Sequence, residues 1–278
     1  MKTMEICPVC KTEFIPLYTF AFKDYSVFTC PSCRVRFSKP FIDNSEVYKS
    51  EYIRKREVYL GGTNLDYKSI PSLEPYMNLV NKKILDIGCG MGCFLEKLKN
   101  DNDVLGLEVS HNFESFLIEK GVPYKIGDIE NNLLSLPDSY YDLITFWDVF
   151  EHLYDPLKIL TMVKDKLSPD GIIINWTNNY DDSISLFAEM SYRLSFGNLR
   201  FLMEQSFNRM SGHNYNFVFE TLDFIYRQTE FKILDTIITD TPAERLTESI
   251  TMRFLLNLFY VFNKIFKKGK IICHILIR

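Results

Sequence analysis

Ile84-Leu85-Asp86-Ile87-Gly88-Cys89-Gly90-Met91-Gly92 is the stretch on which the reading of this chain turns. A short apolar run over Lys83–Ile87 ends in three alternate glycines, and a segment of helical character opens behind them at Cys93. Glycines at a strand-to-helix turn let the backbone approach a ligand closely and aim a helix N-terminus at it. The dinucleotide fingerprint needs another glycine five residues after the first. Cys93 stands there, so the spacing is G-x-G-x-G instead. Glu108 follows Gly88 by 20 residues, at the end of the next apolar run. A carboxylate so placed can accept hydrogen bonds from both hydroxyls of a ribose, which a merely tight turn would not require.

Outward from this turn, apolar runs alternate with amphipathic segments. Strands are expected over Val104–Val109, Tyr124–Ile126, Tyr141–Trp147 and Gly171–Trp176, the last after the turn Ser168-Pro169-Asp170-Gly171. Helices are expected over Cys93–Asn100, Asn112–Lys120 and Pro156–Leu167. Further on come a helix at Glu220–Gln228, a strand at Lys232–Thr239, a long helix near Ile250–Phe266 and a strand at Ile271–Ile277. Strands and helices alternating at this spacing imply βαβ units and a doubly wound, Rossmann-like α/β sheet. A length of 278 residues, 46% of them hydrophobic and 24% charged, suits one such domain with a small appendage and no need of disulfide staples.

The appendage lies at the front. Cys7-Pro8-Val9-Cys10 and Cys30-Pro31-Ser32-Cys33 form a C-x2-C repeat separated by 19 residues. Two such knuckles can close a tetrahedral shell of four thiolates around Zn²⁺, and a closed shell is structural because no position is left for water. A redox C-x-x-C is the rival, but such motifs open a helix after a strand and seldom come in pairs. The chain therefore divides into a zinc ribbon at 1–40, a Tyr-rich linker and helical cap at 41–80, and the α/β domain at 81–278. The formal charge of −4 opposes bulk electrostatic attraction to nucleic acid, although residues 1–56 carry a net +4 and the remainder −8. Met1–Pro8 has no apolar h-region, so no secretory signal is expected, and the apolar uncharged stretch Phe254–Asn263 is about half of what a membrane span requires. A soluble cytoplasmic protein, monomer or homodimer, is expected.

The run hydrophobic–Asp–x–G-x-G-x-G resembles motif I of class I S-adenosylmethionine (SAM)-dependent methyltransferases, and later stations agree. Gly127-Asp128-Ile129 resembles the segment that holds the adenine. Phe146-Trp147-Asp148-Val149-Phe150-Glu151-His152-Leu153, followed by Asp155-Pro156, is similar to the signature of the ubiquinone-biosynthesis O-methyltransferases and many natural-product enzymes. Ser168–Gly171 matches the turn before the fifth strand, and His213 leading into Phe219-Glu220-Thr221-Leu222 resembles a His-containing segment before the sixth. The resemblance covers residues 80–278 and implies seven strands, the last antiparallel between the fifth and sixth. It implies that the loop of Asp86, Gly88, Cys89, Gly90 and Gly92 seats the methionine portion of SAM. Glu108 would hold the ribose, Asp128 and Ile129 the adenine, and Trp147 would pack beside the cofactor.

Asp148, Glu151 and His152 share one face if a helix starts there. In the resembled enzymes a Glu-x-x-Glu-His pattern serves divalent-metal-dependent O-methylation, so Mg²⁺ at these three residues is one expectation. His152 as general base oriented by a carboxylate is another, with Glu151 a further catalytic candidate, and plain capping and packing a third. His213 is a candidate contact to the acceptor or a structural histidine. Residues 180–216, rich in Leu, Phe and Met, form either a lid over an apolar acceptor or a hairpin packed on the domain. Ser249–Lys270 carries five basic and no acidic residues beside a dense apolar series. It reads as a packing helix, an oligomer contact or an amphipathic helix on a membrane surface. A small-molecule acceptor, with O slightly preferred over N or C, is the leading expectation. The rivals are an RNA methyltransferase gripping its substrate with the ribbon and the basic residues Arg34, Arg36, Lys39, Lys49, Arg54, Lys55 and Arg56, and a binding protein that has lost catalysis.

Overall fold

The computed structural model describes residues 4–16, 19–43, 71–207, 212–243 and 249–278. Most of the expected linker and cap, with Lys49, Arg54, Lys55 and Arg56, lies outside the described residues. Five short strands come first: β1 (Glu5–Ile6), β2 (Glu13–Phe14), β3 (Thr19–Ala21), β4 (Ser26–Thr29) and β5 (Arg36–Lys39). A 3₁₀ turn at Pro71–Tyr76 leads to β6 (Lys83–Ile87), α1 (Cys93–Glu96), β7 (Asp103–Glu108), α2 (Glu114–Glu119), β8 (Tyr124–Ile126) and α3 (Ile129–Leu134). Then follow β9 (Tyr141–Trp147), α4 (Pro156–Lys166), β10 (Leu167–Asn178), α5 (Ser183–Leu194), α6 (Arg200–Phe207) and β11 (Tyr215–Asn216). The chain continues through α7 (Phe219–Gln228), β12 (Lys232–Thr239), α8 (Ile250–Ile265) and β13 (Ile271–Ile277).

The large sheet has the order β12-β13-β10-β9-β6-β7-β8. Strands β10, β9, β6, β7 and β8 run parallel, and β13 is antiparallel to both β10 and β12, as the resemblance implied. Ile84, Leu85, Asp86 and Ile87 are all buried, because a central parallel strand is covered on both faces. Buried polar side chains cross-link this sheet to the helix packed on it. Asn175 donates to the Tyr226 hydroxyl at 2.8 Å, and that oxygen lies 3.1 Å from His274 Nδ1, tying α7 to β10 and β13. Burial pulls His274 down to about 4, so it is neutral there.

Most elements expected from Lys83 onward occur within a residue or two of their positions, and the differences include α1, β10 and α3. Helix α1 is a single turn, since Gly92 leads into it and only turns follow. Strand β10 begins at Leu167: Leu167 pairs with Tyr141, the register shifts over Ser168–Gly171, and pairing with β9 resumes at Ile172. Helix α3, absent from the expectation, is six residues held by Asp128, whose carboxylate accepts from Asn131 N at 2.8 Å.

The front lobe does not close on itself. Strands β3, β4 and β5 form a second sheet whose fourth strand is β11, paired antiparallel to β5 with Tyr215 opposite Phe37. Phe14, Phe28, Val35 and Phe37 share one hydrophobic cluster with Phe146, Phe150, Tyr215 and Phe217. Residues of 180–216 cover the other side, where Tyr180, Ala188, Met203 and Phe207 join Phe20, Phe22 and Val27. The Arg36 guanidinium lies 4.0 Å from the centroid of the Tyr180 ring and meets Glu189 at 2.7 Å.

Candidate active site

The C-terminal ends of β6, β7, β8 and β9 surround a cavity of about 550 Å³. Its floor is the glycine loop. Gly88, Gly90 and Gly92 have φ of 72°, 52° and 72°, in the left-handed region. A Cβ on Gly88 would lie 2.4 Å from Val149 Cγ2, whereas one on Gly90 would meet nothing within 4 Å. The loop is thus pressed against the protein at its first glycine and open toward the cavity at its second.

Glu108, 4% exposed at the end of β7, organises that loop. One carboxylate oxygen accepts from Gly90 N at 2.9 Å, and the other from Val109 N and Ser110 N, each at 2.9 Å. Asp86 is buried beneath, accepting from the Thr145 hydroxyl at 2.7 Å. Desolvation pushes its carboxyl up to about 7; the Thr145 bond opposes this and the Glu108 charge adds to it. Asp128 and Ile129 line the cavity at the start of α3, and Trp147 at the end of β9. The Trp147 ring sits between Phe94 and Trp176, and its indole N–H is buried without a hydrogen-bond partner in the protein. All nine residues expected to hold the cofactor line this cavity except Gly92, which lies behind the loop at the start of α1. A cradle open at Gly90, with carboxylates at two strand ends and an apolar wall, fits an adenosyl group carrying a cationic amino-acid tail.

The expected trio is rearranged. Phe150–His152 is one 3₁₀ turn, and Asp148 precedes it at φ 53° with its N–H given to Trp176 O at 2.9 Å. That bond extends the β9–β10 ladder and bends Asp148 away, so no helical face joins it to Glu151 and His152. Instead Glu151, His152 and His213 come together, their candidate donor atoms within 4.8 Å of one another. The Thr177 hydroxyl donates to Glu151 Oε2 at 2.6 Å, and Glu151 Oε1 lies 4.0 Å from His213 Nε2. His213 and His152 meet edge to face at 4.9 Å between centroids. His152 and Asp148 line the cavity; Glu151 and His213 stand behind. Mg²⁺ prefers an all-oxygen shell. Two imidazoles and a carboxylate already engaged by Thr177 do not fit it.

Sequence reasoning missed two polar supports. Asn178 Nδ2 lies 3.1 Å from His213 Nδ1 and donates to Asn216 Oδ1 at 2.8 Å. Asn214 donates through its backbone to Glu151 O and through its side chain to His152 O. Polar residues closing the isoleucine run of β10 were the available signal for the first. Asp43, from the front lobe, also lines the cavity, which spacing could not have revealed. No described residue of 180–216 does; Tyr180, Ala188, Met203 and Phe207 pack on the ribbon sheet.

The four front cysteines form a second centre. Their Sγ atoms all lie within 4.8 Å of one another, with Cys7–Cys33 at 3.7 Å and Cys10–Cys30 at 3.5 Å. Sulfurs about 3.8 Å apart are what a tetrahedron with Zn–S bonds of about 2.3 Å demands. The two knuckles repeat each other: Lys11 N donates to Cys7 O and Arg34 N to Cys30 O, and both residues have positive φ. The Cys7 and Cys33 thiols share a hydrogen bond that pulls Cys7 down and pushes Cys33 up, while burial pushes Cys30 up. The donor set fits Zn²⁺.

The sheet order, the glycine cradle and the acidic residue at the end of β7 are those of a SAM-dependent methyltransferase. A methyltransferase domain family model matches residues 62–222, and the chain belongs to that family. It is 27% identical over 205 residues to a tRNA U34 carboxymethyltransferase from Campylobacter hominis, covering 69% of each chain. It is 30% identical over 157 residues to a ubiquinone biosynthesis O-methyltransferase from Actinobacillus pleuropneumoniae, covering 50% of this chain and 66% of that one. A SAM-dependent methyltransferase from Archaeoglobus fulgidus shares the fold with a TM-score of 0.58 at 23% identity, over 82% of this chain and 99% of the other. Haemonchus contortus phosphoethanolamine N-methyltransferase 2, solved with SAM, does so at 0.57 and 13%, over 94% and 71%. Among the described residues, no helix is long and apolar enough to cross a membrane.

Proposed function

We propose that the chain transfers the methyl group of SAM to a small-molecule biosynthetic acceptor, at oxygen in preference to nitrogen or carbon. The observation that carries this reading is His152 on the cavity wall with His213 and Glu151 stacked behind it. When bound, SAM supplies a methyl group on a sulfonium, already joined to a good leaving group. The protein must then align an acceptor and remove its proton. His152 takes that proton, His213 fixes the imidazole by edge-to-face packing, and Glu151 with Asn178 orients His213. The Gly88–Gly92 loop with Asp86 and Cys89 seats the methionine portion, Glu108 the ribose, and Asp128 with Ile129 the adenine, while Trp147 walls the site. The four cysteines bind one structural Zn²⁺ that stabilises the front lobe.

The tRNA-modifying relative favours a second reading, with RNA as acceptor. Against it, four cations among the described residues of the ribbon are paired: Arg34 with Glu220, Arg36 with Glu189, Lys39 with Glu5 and Lys11 with Asp155. A carboxylate beside each of these cations lessens its attraction for phosphates. Calorimetry should detect SAM, and radiolabelled SAM incubated with a cell extract should label the small-molecule fraction. Label recovered in RNA would overturn the small-molecule acceptor, and silence toward SAM by folded protein would overturn both readings.

A further inference from the structure

Helix α8 presents its polar side to the protein and its apolar side to water, the reverse of an ordinary surface helix. Asn263, 1% exposed, donates to Asp240 Oδ1 at 2.7 Å and accepts from Ser183 N at 2.9 Å. The Tyr260 hydroxyl donates to Thr241 O at 2.7 Å, and the Ser249 hydroxyl caps the helix. These bonds fix the rotation of the helix about its axis. With that rotation, Phe254, Leu255, Leu258, Val261, Phe262 and Ile265 point outward, each between 46% and 66% exposed. Helix α5 continues the surface through Leu186, Phe187 and Met190, with the Phe187 ring 5.5 Å from that of Phe259.

Charge indicates what covers this face. Ser249–Lys270 contains Arg253, Lys264, Lys267, Lys268 and Lys270 and no Asp or Glu. Lys268 pairs with Asp181 at 3.5 Å, while Lys264 and Lys267 stand exposed beside the outward apolar arc and complement an anionic headgroup layer over an acyl interior. At 16 residues the helix is too short to span. It also delivers the chain to Ile271, which pairs with Asn178 at the end of β10, the same edge of the sheet at which the cavity opens.

We propose that α8, extended by α5, docks this protein on the surface of an anionic lipid bilayer, lying in the interface. This goes beyond the methyl-transfer reading and stands without it. The test is cosedimentation of the full chain with vesicles of mixed phosphatidylglycerol and phosphatidylcholine, against vesicles of phosphatidylcholine alone. Binding to the anionic vesicles is expected, at least tenfold weaker without the anionic lipid or in high salt. A Phe254→Ser, Leu258→Ser, Phe262→Ser variant should lose at least tenfold. Lys264→Glu with Lys267→Glu should lose about fivefold or more per position, in line with the attraction of each basic residue. All five side chains are exposed, so thermal unfolding and SAM affinity should match the parent, which separates this outcome from a failure of the site. Three outcomes would overturn the proposal. One is no binding to anionic vesicles by the folded protein. Another is binding that the substitutions leave unchanged. The third is a dimer, seen by light scattering, that the serine variant dissociates, which would give the face to a second copy.

Discussion

Asp86 offers the sharpest test of the site's electrostatics. Its carboxyl is buried below the glycine loop and moved from 3.8 to about 7. A folded-state value raised in this way means that the native protein binds the proton more tightly than the unfolded chain. The group therefore imposes no cost below about pH 4, and stability is lost as pH rises through the folded value near 7. The full displacement corresponds to about 4 kcal/mol, gained or lost at about 1.4 kcal/mol per pH unit between those limits. Asp86→Asn removes the titration and keeps an oxygen for the Thr145 hydroxyl. Its new N–H groups carry a penalty of about 1–3 kcal/mol, but one that does not change with pH. Thermal unfolding of the cofactor-free protein at pH 5 and pH 8 should show the variant gaining about 2–3 kcal/mol on the parent between the two conditions. That is a relative Tm change of roughly 4–12 °C. A gap that is the same at both pH values would refute the reasoning. The cationic donor should favour the ionised carboxyl, so the parent's SAM affinity should rise with pH up to about 7 and the variant's should stay flat.

Four further outcomes are expected. Gly88→Ala, which combines φ 72° with a 2.4 Å approach to Val149, should weaken SAM binding and cost about 2 kcal/mol or more in denaturant unfolding. Glu108→Ala removes the acceptor of three backbone N–H groups and should lower SAM affinity by roughly 10- to 100-fold by calorimetry. Metal analysis should find about one zinc per chain, lost with much of the stability when Cys7 and Cys10 are both changed to Ser. His152→Ala should reduce kcat by roughly 10²–10⁴-fold with little change in SAM affinity, and a chelator that leaves the zinc in place should leave the rate unchanged.

The sheet was legible because its signals are local. Ile84–Gly92 announces a buried strand and its turn, and Tyr141–Trp147 and Lys232–Thr239 begin and end where their apolar patterns do. The cysteine knuckles were equally plain, since spacing alone constrains them. What spacing does not carry is the direction a chain takes after a strand. Asp148 was grouped with Glu151 and His152 on helical periodicity, yet its N–H belongs to the β10 ladder and the turn behind it is 3₁₀. The group that forms instead draws His213 from 61 residues further along, set by Asn178 and Asn214. The same limit applied to residues 180–216, whose apolar content was visible but whose partner, the ribbon sheet, was not.

The pairing of β5 with β11 has a consequence for how this chain is made. Tyr215 joins Phe37 across about 180 residues of sequence. At 5–20 residues per second, the outer edge of the front sheet waits roughly 10–40 s on the ribosome for its last strand. Metal capture at the knuckles needs only the first 33 residues, so it can hold the lobe in shape through that interval. The ribbon would then be an early, metal-held fragment that the rest of the enzyme later completes, and starving a culture of zinc should show first as nascent chains lost to proteolysis.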